Sequence, residues 1–149
     1  MLQAGAPVPD VVLEDDAGLP VRLRDLGKKA LVVYFYPRAD TPGCTSETIQ
    51  FRDLNRSFSK KGVTVVGVSR DTVAAQAKFK KKYDVPFALL ADVESALCDA
   101  FGVIVEKNMY GKKSLGIQRS TFLVRDGAVT HVWPKVKVEG HAAEVLASL

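Results

Sequence analysis

The chain of 149 residues carries, at positions 31–47, the stretch LVVYFYPRADTPGCTSE, whose two halves predict two different structures. Residues 31–36 form a continuous apolar run, which is typical of a strand covered on both faces. Thr41 and Pro42 then mark a helix start, with threonine as N-cap and proline at the first helical position, where its missing N–H costs nothing. The stretch therefore predicts a buried strand followed by a helix, with Cys44 at the third helical position.

Cys44 takes the place that glutamate or glutamine fills in an ordinary capping box. The unpaired amides of the first turn and the positive end of the helix dipole favour thiolate over thiol there. Lowering the pKa of a thiol from about 8.5 to about 6 takes roughly 3.4 kcal/mol, whereas one helix end supplies up to about 2 kcal/mol. We therefore expect a cationic partner, and Arg119, just before the apolar run 120–124, is the best candidate.

The rest of the chain alternates between strand and helix patterns. Strands are predicted at residues 8–13, 21–23, 31–36, 63–69, 86–90, 120–124 and 128–133, and helices at 42–60, 72–83, 93–101 and 141–149. Asp126-Gly127 signals a hairpin between the last two strands, Asp71 is expected to cap the second helix, and residues 104–118 are predicted to be irregular. This alternation predicts one α/β domain, residues 1–149, with a central mixed sheet flanked by helices on both faces. Cys44 would then lie in the crevice beyond the strand ends, where such sheets bind ligands.

Composition and charge limit the class of protein. Hydrophobic residues make up 47% and charged residues 26%, which is ordinary globular composition. A signal-peptide pattern and an apolar run long enough for a membrane span are both missing, so we expect a cytoplasmic protein with no membrane partner. His131 and His141 are not at zinc-ligand spacing from the cysteines, so no metal or cofactor is expected. The net charge of +4 raises the question of nucleic acid, but the basic run 78–83 fits a solvated helix face, and no nucleic-acid partner is expected.

Further motifs occur in a fixed order around the one that contains Cys44. They are YFYP at 34–37, TPGCTSE at 41–47, FRD at 51–53, VGVSRD at 66–71, FALLAD at 87–92, MYGK at 109–112, RSTF at 119–122 and GHA at 140–142. Together they resemble peroxiredoxins of the bacterioferritin-comigratory-protein (PrxQ) branch over nearly the whole chain. The resemblance implies a thioredoxin-like fold and reduction of hydrogen peroxide and organic hydroperoxides. It also implies thioredoxin, glutaredoxin or glutathione as reductant, and we expect a monomer or at most a weak dimer.

The resemblance also implies a role for each candidate site residue. Cys44 would be the peroxidatic nucleophile that becomes a sulfenic acid, Thr41 would position the peroxide oxygens, and Arg119 would hold thiolate and substrate. Pro37 would shield the site. Glu47 matches the carboxylate of the branch, and we expect it to bond Arg119 or a backbone amide, or only to stabilise the helix start.

The chain departs from many members of the branch at the second, resolving cysteine. Ile49 stands five residues after Cys44, where many members carry that thiol, and the helix predicted at 72–83, where others carry it, has no cysteine. Two interpretations of the remaining thiol, Cys98, stay open. It is either a buried core residue, so that an external thiol recycles Cys44, or it resolves the sulfenic acid after local unfolding. We favour the first, a one-cysteine mechanism.

Two other functions are compatible with a reactive cysteine at this position. A thiol–disulfide oxidoreductase normally needs Cys-x-x-Cys at the strand–helix junction, and Thr41 stands where the first thiol would be. A peroxide-responsive redox sensor or binding module would be oxidised quickly and stoichiometrically but would turn over slowly with every reductant. Peroxide consumption separates both from a peroxidase.

Overall fold

Three central parallel strands form the middle of the fold. We describe it from a computed structural model, which covers residues 1–26 and 29–149. β3 (Ala30–Phe35) pairs in parallel with β4 (Val63–Ser69), and β4 pairs in parallel with β5 (Leu89–Ala91). Every residue of β3 is buried, which confirms the prediction of a strand covered on both faces.

Four antiparallel strands extend this sheet on its two sides. β1 (Val12–Asp15) pairs with β5 and with β2 (Pro20–Arg22) on one side. β8 (Ser120–Arg125) pairs with β3 and with β9 (Ala128–Trp133) on the other. The order is β2-β1-β5-β4-β3-β8-β9, so the predicted mixed sheet is confirmed.

Helices cover both faces of the sheet, as the alternating pattern predicts. α1 (Pro42–Lys60), α2 (Val73–Tyr83) and α4 (His141–Ala147) contribute apolar side chains to the core on one face. α3 (Ala96–Phe101) contributes them to the core on the other face. No helix in the part of the chain that the structure describes is long and apolar enough to cross a membrane.

The alternation of side chains along β3 separates the two cores, because successive residues of a strand point to opposite faces. Tyr34 belongs to the core under α1, and Phe35 belongs to the core under α3. Cys44 lies in the first core and Cys98 in the second. The two cysteines are therefore on opposite faces of the sheet.

Several element boundaries differ from the prediction. β1 begins at residue 12 rather than 8, because Pro7 instead bridges Ala128 and the amide of Val8 donates to the carbonyl of Gly127 at 2.8 Å. β5 begins at 89 rather than 86, after Pro86, which cannot donate a ladder hydrogen bond. α3 begins at 96 rather than 93, because Ser95 adopts a left-handed conformation with φ of 62°, which no helix continues through. The changes shorten these elements without changing their order.

The cap of α2 is Thr72 rather than the predicted Asp71. The Thr72 hydroxyl accepts a hydrogen bond from the amide of Ala75 at 3.1 Å. The Asp71 carboxylate instead accepts from the amide of Ala39 at 2.8 Å and from the hydroxyl of Ser69 at 2.6 Å. Asp71 thus ties the loop before α1 to the end of β4.

Residues 104–117 form a hairpin, so the prediction of an irregular stretch at 104–118 is wrong. β6 (Ile104–Met109) and β7 (Lys112–Ile117) pair through Tyr110-Gly111, whose φ angles are 54° and 78°. The strands are mostly exposed and carry no apolar alternation, and the turn lacks the Asn-Gly or Asp-Gly signal of such hairpins. The hairpin ends two residues before Arg119.

Candidate active site

The first turn of α1 is built as the sequence predicts, except for one side chain. Thr41 is the N-cap residue with extended backbone, Pro42 is the first helical residue, and Cys44 is the third. The predicted side-chain cap is wrong, because the Thr41 hydroxyl donates to the carbonyl of Arg38 at 2.8 Å. The amides of Gly43 and Cys44 make no hydrogen bond to another described residue, so the turn presents free donors.

Arg119 lies beside the thiol, as the need for a cationic partner predicts. Its Nη2 is 3.3 Å from Sγ of Cys44, which is only 1% exposed. The carbonyl of Arg119 accepts from the amide of Val136 at 3.0 Å, which fixes the backbone just before β8. A Cβ on Gly43 would lie 3.1 Å from Nη2, so the glycine leaves room for the guanidinium.

Glu47 lies one helical turn after Cys44 and shares Arg119 with it. Its Oε1 accepts a hydrogen bond from Nη1 of Arg119 at 2.7 Å. The side chain is completely buried, and Oε2 has no hydrogen-bond partner among the described residues. Burial raises the pKa of Glu47 to about 7, and the charge of Arg119 opposes that shift. Of the two hydrogen bonds expected for Glu47, to Arg119 or to a backbone amide, the structure shows the one to Arg119.

The other two predicted site residues lie at the rim. Pro37 is exposed and directly follows the buried Tyr36, whereas Thr41 is half-buried. Between them Asp40 adopts a left-handed φ of 60° and accepts hydrogen bonds from Nζ of Lys82 at 2.9 Å and the hydroxyl of Tyr83 at 2.7 Å. These bonds anchor the loop that leads into α1 to the end of α2.

The hydrogen-bond partners of two buried tyrosines beneath α1 were not predicted from the sequence. The hydroxyl of Tyr34 lies 2.9 Å from that of Thr48 on α1, and the hydroxyl of Tyr36 donates to Gln76 on α2 at 2.6 Å. Their rings stack at a centroid distance of 5.5 Å. Tyrosine at two alternating positions of an otherwise wholly apolar run was the available signal, because a buried phenol needs a polar partner.

Lys107 on β6 is a second cation near the site, and no sequence motif indicates its place there. It is half-buried, and its side chain packs against Gly116 of the paired strand. Burial and the charge of Arg119 lower the pKa of Lys107. The hairpin of β6 and β7 therefore brings the positive charge of Lys107 toward Cys44.

His141 is a buried histidine behind α1. Its Nε2 lies 2.7 Å from the hydroxyl of Thr121, and its ring meets Phe51 and Trp133 edge to face. Burial lowers the pKa of His141 from its usual 6.5 to about 4. The residue is therefore neutral at neutral pH and links α4 to the sheet.

We expect the protein to lose stability as the pH falls from about 6.5 to about 4. Over this window His141 becomes protonated in the unfolded chain but stays mostly neutral in the native state. This difference lowers the free energy of unfolding by about 2–3 kcal/mol. Replacing His141 with Gln, which can still bond Thr121, should remove this part of the loss. Urea unfolding at several pH values measures it, and an equal pH dependence in both proteins would contradict the assignment.

Comparison with known proteins places the chain in a family. The model of the AhpC/TSA family matches residues 4–132. The chain is 47% identical to peroxiredoxin Bcp of Xanthomonas campestris over 150 residues, covering 100% of this chain and 94% of that one. It is 44% identical to peroxiredoxin Bcp of Bacillus subtilis over 149 residues, covering 99% and 95%.

Solved structures agree with this assignment. PrxQ of Xylella fastidiosa superposes with a TM-score of 0.94 at 37% identity, over 99% of this chain and 95% of that one. The bacterioferritin comigratory protein of Xanthomonas campestris superposes with a TM-score of 0.91 at 46% identity, over 98% and 96%. The predicted thioredoxin-like fold is confirmed. The chain belongs to the AhpC/TSA family and, within it, to the Bcp (PrxQ) peroxiredoxins, which are thiol-dependent peroxidases.

Proposed function

We propose that Cys44 is the peroxidatic residue and reduces hydrogen peroxide and organic hydroperoxides by a one-cysteine mechanism. The observation that carries the proposal is the 3.3 Å contact between Nη2 of Arg119 and Sγ of Cys44, at the open first turn of α1. A guanidinium charge in a largely buried site stabilises an anion more strongly than it would in water. The same charge can stabilise the thiolate and the negative charge that develops on the leaving oxygen of the peroxide.

The oxidation step moves two electrons from sulfur to the peroxide. The Cys44 thiolate attacks the distal oxygen, the S–O bond forms as the O–O bond breaks, and the leaving oxygen takes a proton. Nη2 of Arg119 and the amides of Gly43 and Cys44 are the donors for the developing charge. The Thr41 hydroxyl joins them by turning from the carbonyl of Arg38 toward the peroxide.

The remaining site residues support this chemistry. Glu47 orients Arg119 through the 2.7 Å bond to Nη1. Pro37, at the exposed rim, limits the access of water to the thiolate. The bacterioferritin comigratory protein of Xanthomonas campestris reduces alkyl peroxides, which supports organic hydroperoxides as substrates here.

We further propose that an external thiol recycles Cys44, and that Cys98 is inert. Cys98 is fully buried beside Leu97 and Phe101, on the opposite face of the sheet from Cys44. Burial and the neighbouring Asp92 carboxylate raise the pKa of the Cys98 thiol, so thiolate is strongly disfavoured there. A disulfide needs Cα atoms within about 7 Å, and the sheet stands between the two thiols.

In the recycling step, a thiol of thioredoxin, glutaredoxin or glutathione attacks the sulfenic sulfur, forming a mixed disulfide and releasing water. A second thiol then displaces Cys44 as thiolate and leaves the reductant as a disulfide. We propose that the chain does this as a single domain and a monomer, or at most a weak dimer, in the cytoplasm. Both cores share one sheet, which supports the single domain.

The Cys98→Ser variant is expected to keep both peroxide oxidation and reductant-supported turnover, because Cys98 takes no part in either step. After one equivalent of peroxide, the intact mass of the wild type should rise by about sixteen mass units, the weight of one oxygen atom. A loss of about two mass units would mean a Cys44–Cys98 bridge and would overturn the one-cysteine mechanism.

Peroxide consumption tests the function as a whole, with thioredoxin, glutaredoxin and glutathione systems supplied in separate reactions. At least one of them should sustain many turnovers. Fast stoichiometric oxidation followed by slow turnover with all three would favour a redox sensor instead. Disulfide reduction without peroxide consumption would favour a thiol–disulfide oxidoreductase.

A further inference from the structure

Two buried acidic groups share one partly buried cation in this site. Arg119 places Nη2 3.3 Å from Sγ of Cys44 and Nη1 2.7 Å from Oε1 of Glu47. Cys44 is 1% exposed and Glu47 is 0% exposed. If both were ionised, two negative charges would be buried against one positive charge, and an uncompensated buried charge is costly. The geometry therefore favours one negative charge on the pair.

The surroundings of the carboxyl group show which member of the pair gives up its charge more easily. Hydrogen bonds to both oxygens are what stabilise a buried carboxylate, and within residues 1–26 and 29–149 Glu47 has a donor only at Oε1. An unpartnered Oε2 costs less when the group is neutral than when it is ionised. The burial that raises the pKa of Glu47 to about 7 acts in the same direction.

The other titratable groups around the pair do not supply the missing charge or donor. Tyr34 on β3 is neutral, because burial raises its pKa, and His141 on α4 is neutral, because burial lowers its pKa to about 4. Tyr36 is likewise neutral and donates its hydroxyl to α2. Lys107 on β6 is cationic but only half-buried, and it makes no bond to Oε2.

We propose that Glu47 is the proton store of the site, an inference that rests on the proposed peroxidase function of Cys44. It is a neutral carboxylic acid while Cys44 is a thiolate, and it becomes the carboxylate partner of Arg119 once the sulfur is a neutral sulfenic acid. Glu47 acts through Arg119 and is a positioning residue as well as a proton store, because its hydrogen bond is to Arg119, which in turn donates to the reacting sulfur.

The proton count of the cycle follows from this arrangement. Thiolate, peroxide and protonated Glu47 give sulfenic acid, an alcohol or water, and ionised Glu47. The leaving oxygen gains one proton and the carboxyl group loses one, so oxidation draws no net proton from the solvent. Reduction of the sulfenic acid by two thiols gives thiolate, disulfide, water and one proton, which returns to Glu47.

Proton uptake during a single oxidation tests this assignment. Reduced protein is mixed with one equivalent of hydrogen peroxide just below neutral pH, in weak buffer with a pH indicator, while ultraviolet absorbance reports thiolate and intact mass reports the sulfenic acid. The wild type should start as thiolate and take up almost no proton. Glu47→Gln, which copies the neutral carboxyl group but holds no acidic proton, should take up one proton per sulfur oxidised.

Uptake of one proton per sulfur by the wild type would mean that Glu47 keeps the same protonation state throughout, ionised or neutral, and would overturn the proposal. Oxidation without any initial thiolate would also overturn it, whereas failure of Cys44 to be oxidised at all would refute the peroxidase function itself. A second measurement needs no variant. The infrared difference spectrum of the wild type should lose the carbonyl band of a protonated carboxylic acid on oxidation, and an unchanged band would contradict the proton store.

Discussion

Replacement of Cys44 by serine is expected to lower the rate constant for peroxide reduction by at least about 10⁴-fold. A serine hydroxyl stays protonated at neutral pH even beside a guanidinium, and oxygen cannot form the equivalent of a sulfenic acid. Arg119 and the free amides of the first turn would remain in place, but they only stabilise charge that a nucleophile creates. The loss should therefore be nearly complete for hydrogen peroxide and organic hydroperoxides alike.

The measurement is peroxide consumption with each reductant system, and Cys98→Ser is the matched control because it removes a thiol from the other face of the sheet. The Cys44→Ser protein should fold, since the new hydroxyl can accept the bond from Nη2 of Arg119 that Sγ accepts now. Circular dichroism and thermal unfolding check this. Substantial activity in a folded Cys44→Ser protein would remove the basis of the site assignment.

The start of α1 could be predicted because its signals are local. Thr41 is a preferred N-cap residue type and Pro42 a preferred first helical residue. Counting from them places Cys44 at the third helical position. Arg119 could be predicted only as a cation just before a strand, because 75 residues separate it from Cys44. The pairing of β3 with β8, which sets Phe35 opposite Ser120, brings it to the end of the central strand.

The burial of Glu47 was harder to predict, because glutamate is usually exposed. A signal was nevertheless present, since the buried residues Cys44, Glu47, Thr48, Phe51 and Phe58 follow one stripe of α1 at helical spacing. A carboxyl group on that stripe must be buried with whatever partner the rest of the fold supplies. The sequence alone does not show that this partner is Arg119 or that Arg119 bonds Oε1 of Glu47 and not Oε2.

The hairpin of β6 and β7 and the placement of Cys98 depended on information that local patterns do not contain. Exposed strands such as Lys112–Ile117 lack the apolar alternation that reveals a half-buried strand. For Cys98, the apolar neighbours Leu97 and Phe101 indicate burial correctly. These neighbours do not indicate which face of the sheet α3 covers. Because α3 covers the face opposite α1, the two thiols are on opposite sides of the sheet.

Replacement of Arg119 by methionine should slow oxidation of Cys44 by about 10²–10³-fold, the usual cost of removing a donor to developing negative charge. It should also move the midpoint of the pH dependence upward, because the thiolate loses its closest cation. Methionine fills much of the same volume but cannot bond Sγ or Oε1 of Glu47. Glu47 would then lack any donor from the residues that the structure describes and should stay protonated to higher pH.

Rapid-mixing oxidation with hydrogen peroxide across a range of pH measures both effects, and two further variants identify their cause. Arg56→Met removes an exposed arginine from α1 and should leave the rate and its pH midpoint unchanged. Arg119→Lys keeps the charge but cannot place two nitrogens at once against Sγ and Oε1, so its rate should fall between those of the Arg119→Met variant and the wild type. If the lysine variant matches the wild type, charge alone is sufficient and the two-pronged contact is not needed. If Arg119→Met keeps the wild-type rate and pH midpoint, Arg119 is not the partner of the thiolate, because no other described cation lies within hydrogen-bond distance of Sγ.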